Sequence, residues 1–126
     1  MSSDRNVRCE ITKILVEFGI PANLQGFGYF RECIFMVYKK PGLIKRVTKE
    51  LYPKVGEAFV VSASVVERCM RHASEVAYCK TGFKSMCKYL GMENCECLGY
   101  KPTNSEIIAL IAEFLRMELN EPLGIA

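Results

Sequence analysis

Val61-Ser62-Ala63-Ser64-Val65-Val66-Glu67-Arg68-Cys69-Met70-Arg71-His72-Ala73-Ser74-Glu75-Val76-Ala77 decides how the chain is read. At about 100° per residue, Val66, Cys69, Met70, Ala73, Val76 and Ala77 gather on one arc of a helix. Ser64, Arg68, Arg71, His72 and Glu75 gather on the opposite arc, with Val65 and Glu67 at its two edges. Ser62 stands where an N-cap accepts a backbone N–H of the first turn. Just upstream, Tyr52 to Phe59 reads as a short helix with Pro53 in its first turn, where the missing N–H does no harm. One helix, a tight turn and a second helix over about residues 63–78 presenting Arg, Arg, His and Glu describe a helix-turn-helix. The pattern points to double-stranded DNA.

The flanking sequence predicts further helices and no strands. Val7, Ile11, Ile14, Leu15 and Phe18 follow helical spacing, ended by Gly19 and Pro21. A second helix is predicted from about Gly26 to Lys39, with Phe27, Phe30, Ile34 and Val37 inward, and Pro41-Gly42 makes a turn. Leu43 to Leu51 reads as a third short helix carrying Lys45, Arg46 and Lys49 outward. A short helical piece with Phe83, Met86 and Leu90 ends at Gly91, and Met92 to Lys101 reads as a loop. Thr103-Asn104-Ser105-Glu106 is a capping box that opens the last helix, with Ile107, Leu110, Ile111, Phe114 and Leu115 on one face and Pro122 beyond its end. The expected fold is an all-α, compact bundle of about six helices. With no repeat or linker, residues 1–126 are read as a single domain.

Composition narrows the function. The 126 residues are half hydrophobic and one-quarter charged, with a formal net charge of +3, which permits an anionic partner without requiring one. No apolar run is long enough to span a bilayer, and the N-terminus lacks a signal-peptide core, so a cytoplasmic location and no membrane partner are expected. There the seven cysteines are expected to be mostly reduced, and their odd number and irregular spacing do not suit a disulfide framework. Cys9, Cys33 and Cys69 fall in helical patterns, where cysteine behaves as a small apolar residue. Cys87, Cys95 and Cys97 do not make the paired knuckles of a structural zinc site, so neither a metal nor a cofactor is expected. No phosphate loop, nucleophile elbow or helical metal-ligand pair indicates an enzyme. Gly26-Phe27-Gly28 lacks the third glycine and preceding strand of a dinucleotide fingerprint.

The wording of several segments is more specific. Gly19 to Phe27, Tyr29-Phe30-Arg31-Glu32, Thr48-Lys49-Glu50-Leu51-Tyr52-Pro53, Val66-Glu67-Arg68, Arg71-His72-Ala73, Glu75-Val76-Ala77 and Lys101 to Glu106 together resemble one family. It is that of the C-terminal effector domains of the master sporulation response regulator of endospore-forming bacteria, stage zero sporulation protein A. The likeness runs from about residue 10 to residue 119. It implies a six-helix domain that recognises a promoter element and regulates transcription, docks on DNA as head-to-tail pairs and touches the RNA polymerase sigma subunit. By that resemblance Glu67 and Arg68 match the base-reading pair, Arg71 and His72 match positions facing the DNA and its backbone, and Ser62 and Ser64 match the polar first turn, whose N–H groups can bind phosphate. Lys45, Arg46 and Lys49 are candidate phosphate contacts from the residues alone.

Three departures from the family stand out. Val65 occupies the place where arginine usually precedes the Val-Glu-Arg motif. Lys80 to Lys88, the segment implied to meet polymerase, is more basic and richer in cysteine. Residues 1–126 are not expected to include the receiver domain that normally precedes this domain in the family. The alternative reading is a protein-interaction module on the same scaffold that has lost promoter recognition and modulates a full-length regulator. On that view the polar arc is an ordinary solvated face.

Overall fold

Hydrophobic periodicity becomes six α-helices in the computed structural model, which describes residues 3–92 and 99–119. They are α1 (Asp4–Glu17), α2 (Gln25–Lys39), α3 (Tyr52–Phe59), α4 (Ala63–Thr81), α5 (Lys84–Tyr89) and α6 (Asn104–Leu119). There are no strands among the described residues, so the fold is an all-α bundle. Cys95, Cys97 and Pro122, and most of the segment expected as a loop, lie outside the described residues.

The bundle is organised around α2, which packs on α1, α4 and α6. Phe27, Phe30, Ile34 and Val37 are buried as their spacing predicts, and meet Val7, Ile11, Leu15 and Phe18 of the first segment and Ile107, Ile111 and Leu115 of the last. Gly19 takes a left-handed φ of 87°, which glycine adopts at no steric cost, and so turns the chain out of α1. The capping box of α6 closes in both directions. The Glu106 N–H donates to Thr103 Oγ1 at 3.1 Å, and the Thr103 N–H donates to Glu106 Oε1 at 2.7 Å.

One predicted helix is two separate turns. Pro41–Lys45 is a 3₁₀ turn and Val47–Leu51 a π-type turn, broken at Arg46, whose φ of −134° and ψ of 44° are not helical. The Arg46 carbonyl accepts from both the Glu50 and Leu51 N–H groups, at 2.8 and 3.1 Å, and this shared acceptor widens the turn. Leu43, Val47 and Leu51 are still buried, so their four-residue spacing mimics a continuous helix across the break.

Cys9 is exposed, where its helical pattern suggested packing, and Cys87 is disulfide-bonded. Cys9, Cys33, Cys69 and Cys79 are free thiols. Cys33 is completely buried, its Sγ 3.8 Å from Met70 Sδ, and burial pushes its thiol far above the ordinary range. At the far end of α4, Gly82 and Phe83 are both left-handed and turn the chain into α5. There Glu17 accepts from the Tyr89 hydroxyl at 2.7 Å and pairs with Lys88. Burial works to raise the Glu17 pKa, but the hydrogen bonds from Lys88 and Tyr89 prevail and hold it below its ordinary value.

Candidate nucleic-acid interface

The turn between α3 and α4 consists of Val60, Val61 and Ser62. Val60 adopts the left-handed conformation, with φ 59° and ψ 47°, which is strained for a β-branched side chain. The Val61 N–H donates to the Gly56 carbonyl at 2.9 Å. A Cβ on Gly56 would lie 2.5 Å from the Val61 carbonyl oxygen, so only glycine lets the chain fold back this tightly. Ser62 caps α4 as predicted, its Oγ accepting from the Val65 N–H at 3.2 Å and lying 3.1 Å from Ser64 Oγ.

From that cap α4 runs to Thr81, three residues beyond the predicted limit of about 78. Val66, Met70, Ala73 and Ala77 are buried, whereas Cys69 and Val76 are half-buried. Ser64, Arg68, Arg71, His72 and Glu75 are exposed, and Val65 and Glu67 are intermediate, as edge positions should be. The buried Ser74 hydroxyl donates to the Arg71 carbonyl of its own helix. The polar arc is therefore a continuous exposed face, and different neighbours wall its two edges.

Along one edge, Glu67 and Arg71 form an ion pair at 2.6 Å, one turn apart. They border a recess of about 280 Å³ whose other walls include Thr48, Tyr52, Lys101, Thr103 and Ser105. Along the other edge, Arg68 and His72 border a groove of about 480 Å³ with Asn23, Leu24 and Gln25. Arg68 and His72 have no ion-pair or hydrogen-bond partner among the described residues. The Arg68 guanidinium is exposed with no protein partner for its five donors among the described residues, and Glu67 offers an acceptor shared with Arg71. This arrangement can meet the donor and acceptor edges of bases and the phosphates on either side of a groove.

Lys45, Arg46 and Lys49 are exposed as expected, but none of them lines either recess. Arg46 pairs with Glu50, so its charge is partly satisfied within its own turn. Their segment reaches the α4 edge through Val47 and Thr48.

Asn23, Gln25, Thr48, Lys101 and Ser105 beside α4 were not singled out by periodicity or charge. A signal for them did exist: all five fall within the family-like segments 19–27, 48–53 and 101–106. These segments are far apart in sequence, and the fold brings them to the two edges of one helix.

Among the described residues no helix is long and apolar enough to cross a membrane, and no group of three or more His, Cys, Asp or Glu side chains could hold a metal ion. The chain matches the family model described as "Sporulation initiation factor Spo0A C terminal" over residues 11–115. That span includes the helix-turn-helix, both walls of α4 and most of α6, and the chain belongs to this family of DNA-binding sporulation regulator domains.

Proposed function

We propose that residues 1–126 act as one unit that recognises a specific promoter sequence, with α4 in the major groove of double-stranded DNA. Arg68 reads a base edge through a bidentate contact to guanine O6 and N7, the commonest specific pairing there. Glu67 accepts from a base amino group. Arg71, His72, Ser62 and Ser64 meet the backbone or groove walls, and Lys45, Arg46 and Lys49 add contacts to phosphate. The observation that carries this reading is the exposed Arg68–His72 face, free of protein partners among the described residues and open along a groove. Head-to-tail pairing on DNA and contact with the RNA polymerase sigma subunit follow as proposals from family membership.

Selection from a random duplex pool tests the reading. An enriched motif is the expected result. Retention of the whole pool without enrichment, or no retention, would favour the protein-interaction alternative.

A further inference from the structure

Asn104 is the first residue of α6 and only 8% exposed. Ser74 and Asn104 are the buried polar residues among those described, and they differ in where they bond. Ser74 bonds within its own helix. The Asn104 side-chain amide instead reaches two other helices. Its Nδ2 donates to the Tyr52 hydroxyl at the start of α3 and to the backbone carbonyl of Glu67 in α4, both at 3.3 Å. One amide group thereby spans α3, α4 and α6.

Its place on α4 is what matters. The Glu67 carbonyl already faces the N–H of residue 71 in the helical ladder, so the amide is a second donor arriving from outside the helix. Apolar packing is non-directional, and Val66 and Met70 alone would tolerate small sliding and rolling of α4. A hydrogen bond is directional, and this one acts at the turn that presents Glu67 and Arg68. Binding constellations depend on such supporting contacts to hold them within fractions of an ångström.

We infer that Asn104 is a positioning residue for base recognition, fixing the Glu67–Arg68 turn against α3 without touching DNA itself. This rests on the DNA-reading role proposed above. Affinities for the selected motif, its single-base variants and scrambled DNA should be compared at a temperature well below every variant's melting point. Asn104→Leu keeps the approximate volume and removes the donor; Tyr52→Phe removes only the α3 partner.

Asn104→Leu is expected to lower discrimination between the motif and its single-base variants about tenfold, the size of one good base contact. Affinity for scrambled DNA should stay within about twofold, because phosphate contacts carry it. Tyr52→Phe should lower discrimination about threefold, the smaller effect of losing one of two amide partners, and it decides the matter alone if Asn104→Leu fails to fold. Discrimination unchanged in the folded variants, with only melting temperature reduced, would overturn the positioning role and leave DNA reading intact. Failure of the wild-type chain to select any motif would overturn both.

Discussion

The two edges of α4 are held in place by different physics. The Glu67–Arg71 edge is braced by polar groups: an ion pair along the helix, the Asn104 amide on the Glu67 carbonyl, and a recess walled by the capped start of α6. Among the described residues the Arg68–His72 edge has a weak polar tie, Cys69 Sγ to Gln25 Oε1 at 3.8 Å, and is set by close approach. A Cβ on Gly26 would lie 2.3 Å from the Cys69 carbonyl oxygen and 2.9 Å from Ala73 Cβ. Direction is fixed on one side and distance on the other. Together they define the pose of a helix whose exposed face remains free to bind.

The largest expected effect is at the close-approach edge. Gly26→Ala pushes a methyl group into the α4 backbone, which cannot swing aside like a flexible side chain. A loss of about 3 kcal/mol is expected, the upper end for overpacking, read from the denaturant midpoint at constant m. A loss below about 0.5 kcal/mol, the usual range for neutral surface changes, would mean that distance is not set there.

Arg68→Ala separates the edges by function. It should weaken binding to the selected motif by roughly 1–3 kcal/mol and relax preference at one base, with little change in melting temperature. Arg71→Ala should act less selectively, because its partner Glu67 is on the protein. Equal losses on motif and scrambled DNA for Arg68→Ala would reassign it to phosphate.

Thr103→Ala gives the smallest effect and probes the braced edge. It removes the hydroxyl that caps the Glu106 N–H and should cost about 1 kcal/mol, the usual value for a lost N-cap. A change in stability indistinguishable from zero would show that the rest of the recess supports α6 without the cap.

Much of this architecture was legible in local patterns. Apolar spacing located α1, α2, α4 and α6, and Ser62 and Thr103 marked the caps of α4 and α6 because capping is a contact within four residues. The same spacing concealed the break at Arg46, since Leu43, Val47 and Leu51 face the core on both sides of it. Val60 gave no warning of its left-handed turn, because that position ordinarily favours glycine. Arg68 and His72 were identified by their place on the arc, whereas Asn104 looked like an interior member of a capping box. Its reach across 37 residues to the Glu67 carbonyl is a tertiary fact with no periodic signature. The cysteines show the same limit: Cys9 and Cys33 both sit in helical patterns, yet one is exposed and the other buried.

That gradation makes the four free thiols among the described residues a built-in set of opening reporters. Cys9 and Cys79 are exposed, Cys69 is half-buried beside Gly26, and Cys33 is sealed between α2 and Met70 of α4. Alkylation requires thiolate and access, so Cys9 and Cys79 should label at the speed of surface thiols. Cys69 should report local parting of α2 from α4. Cys33, both sealed and hard to ionise, should label only when the core itself opens, at a rate governed by the global unfolding equilibrium. Four residues of one chemistry thus grade the molecule from its rim to its centre.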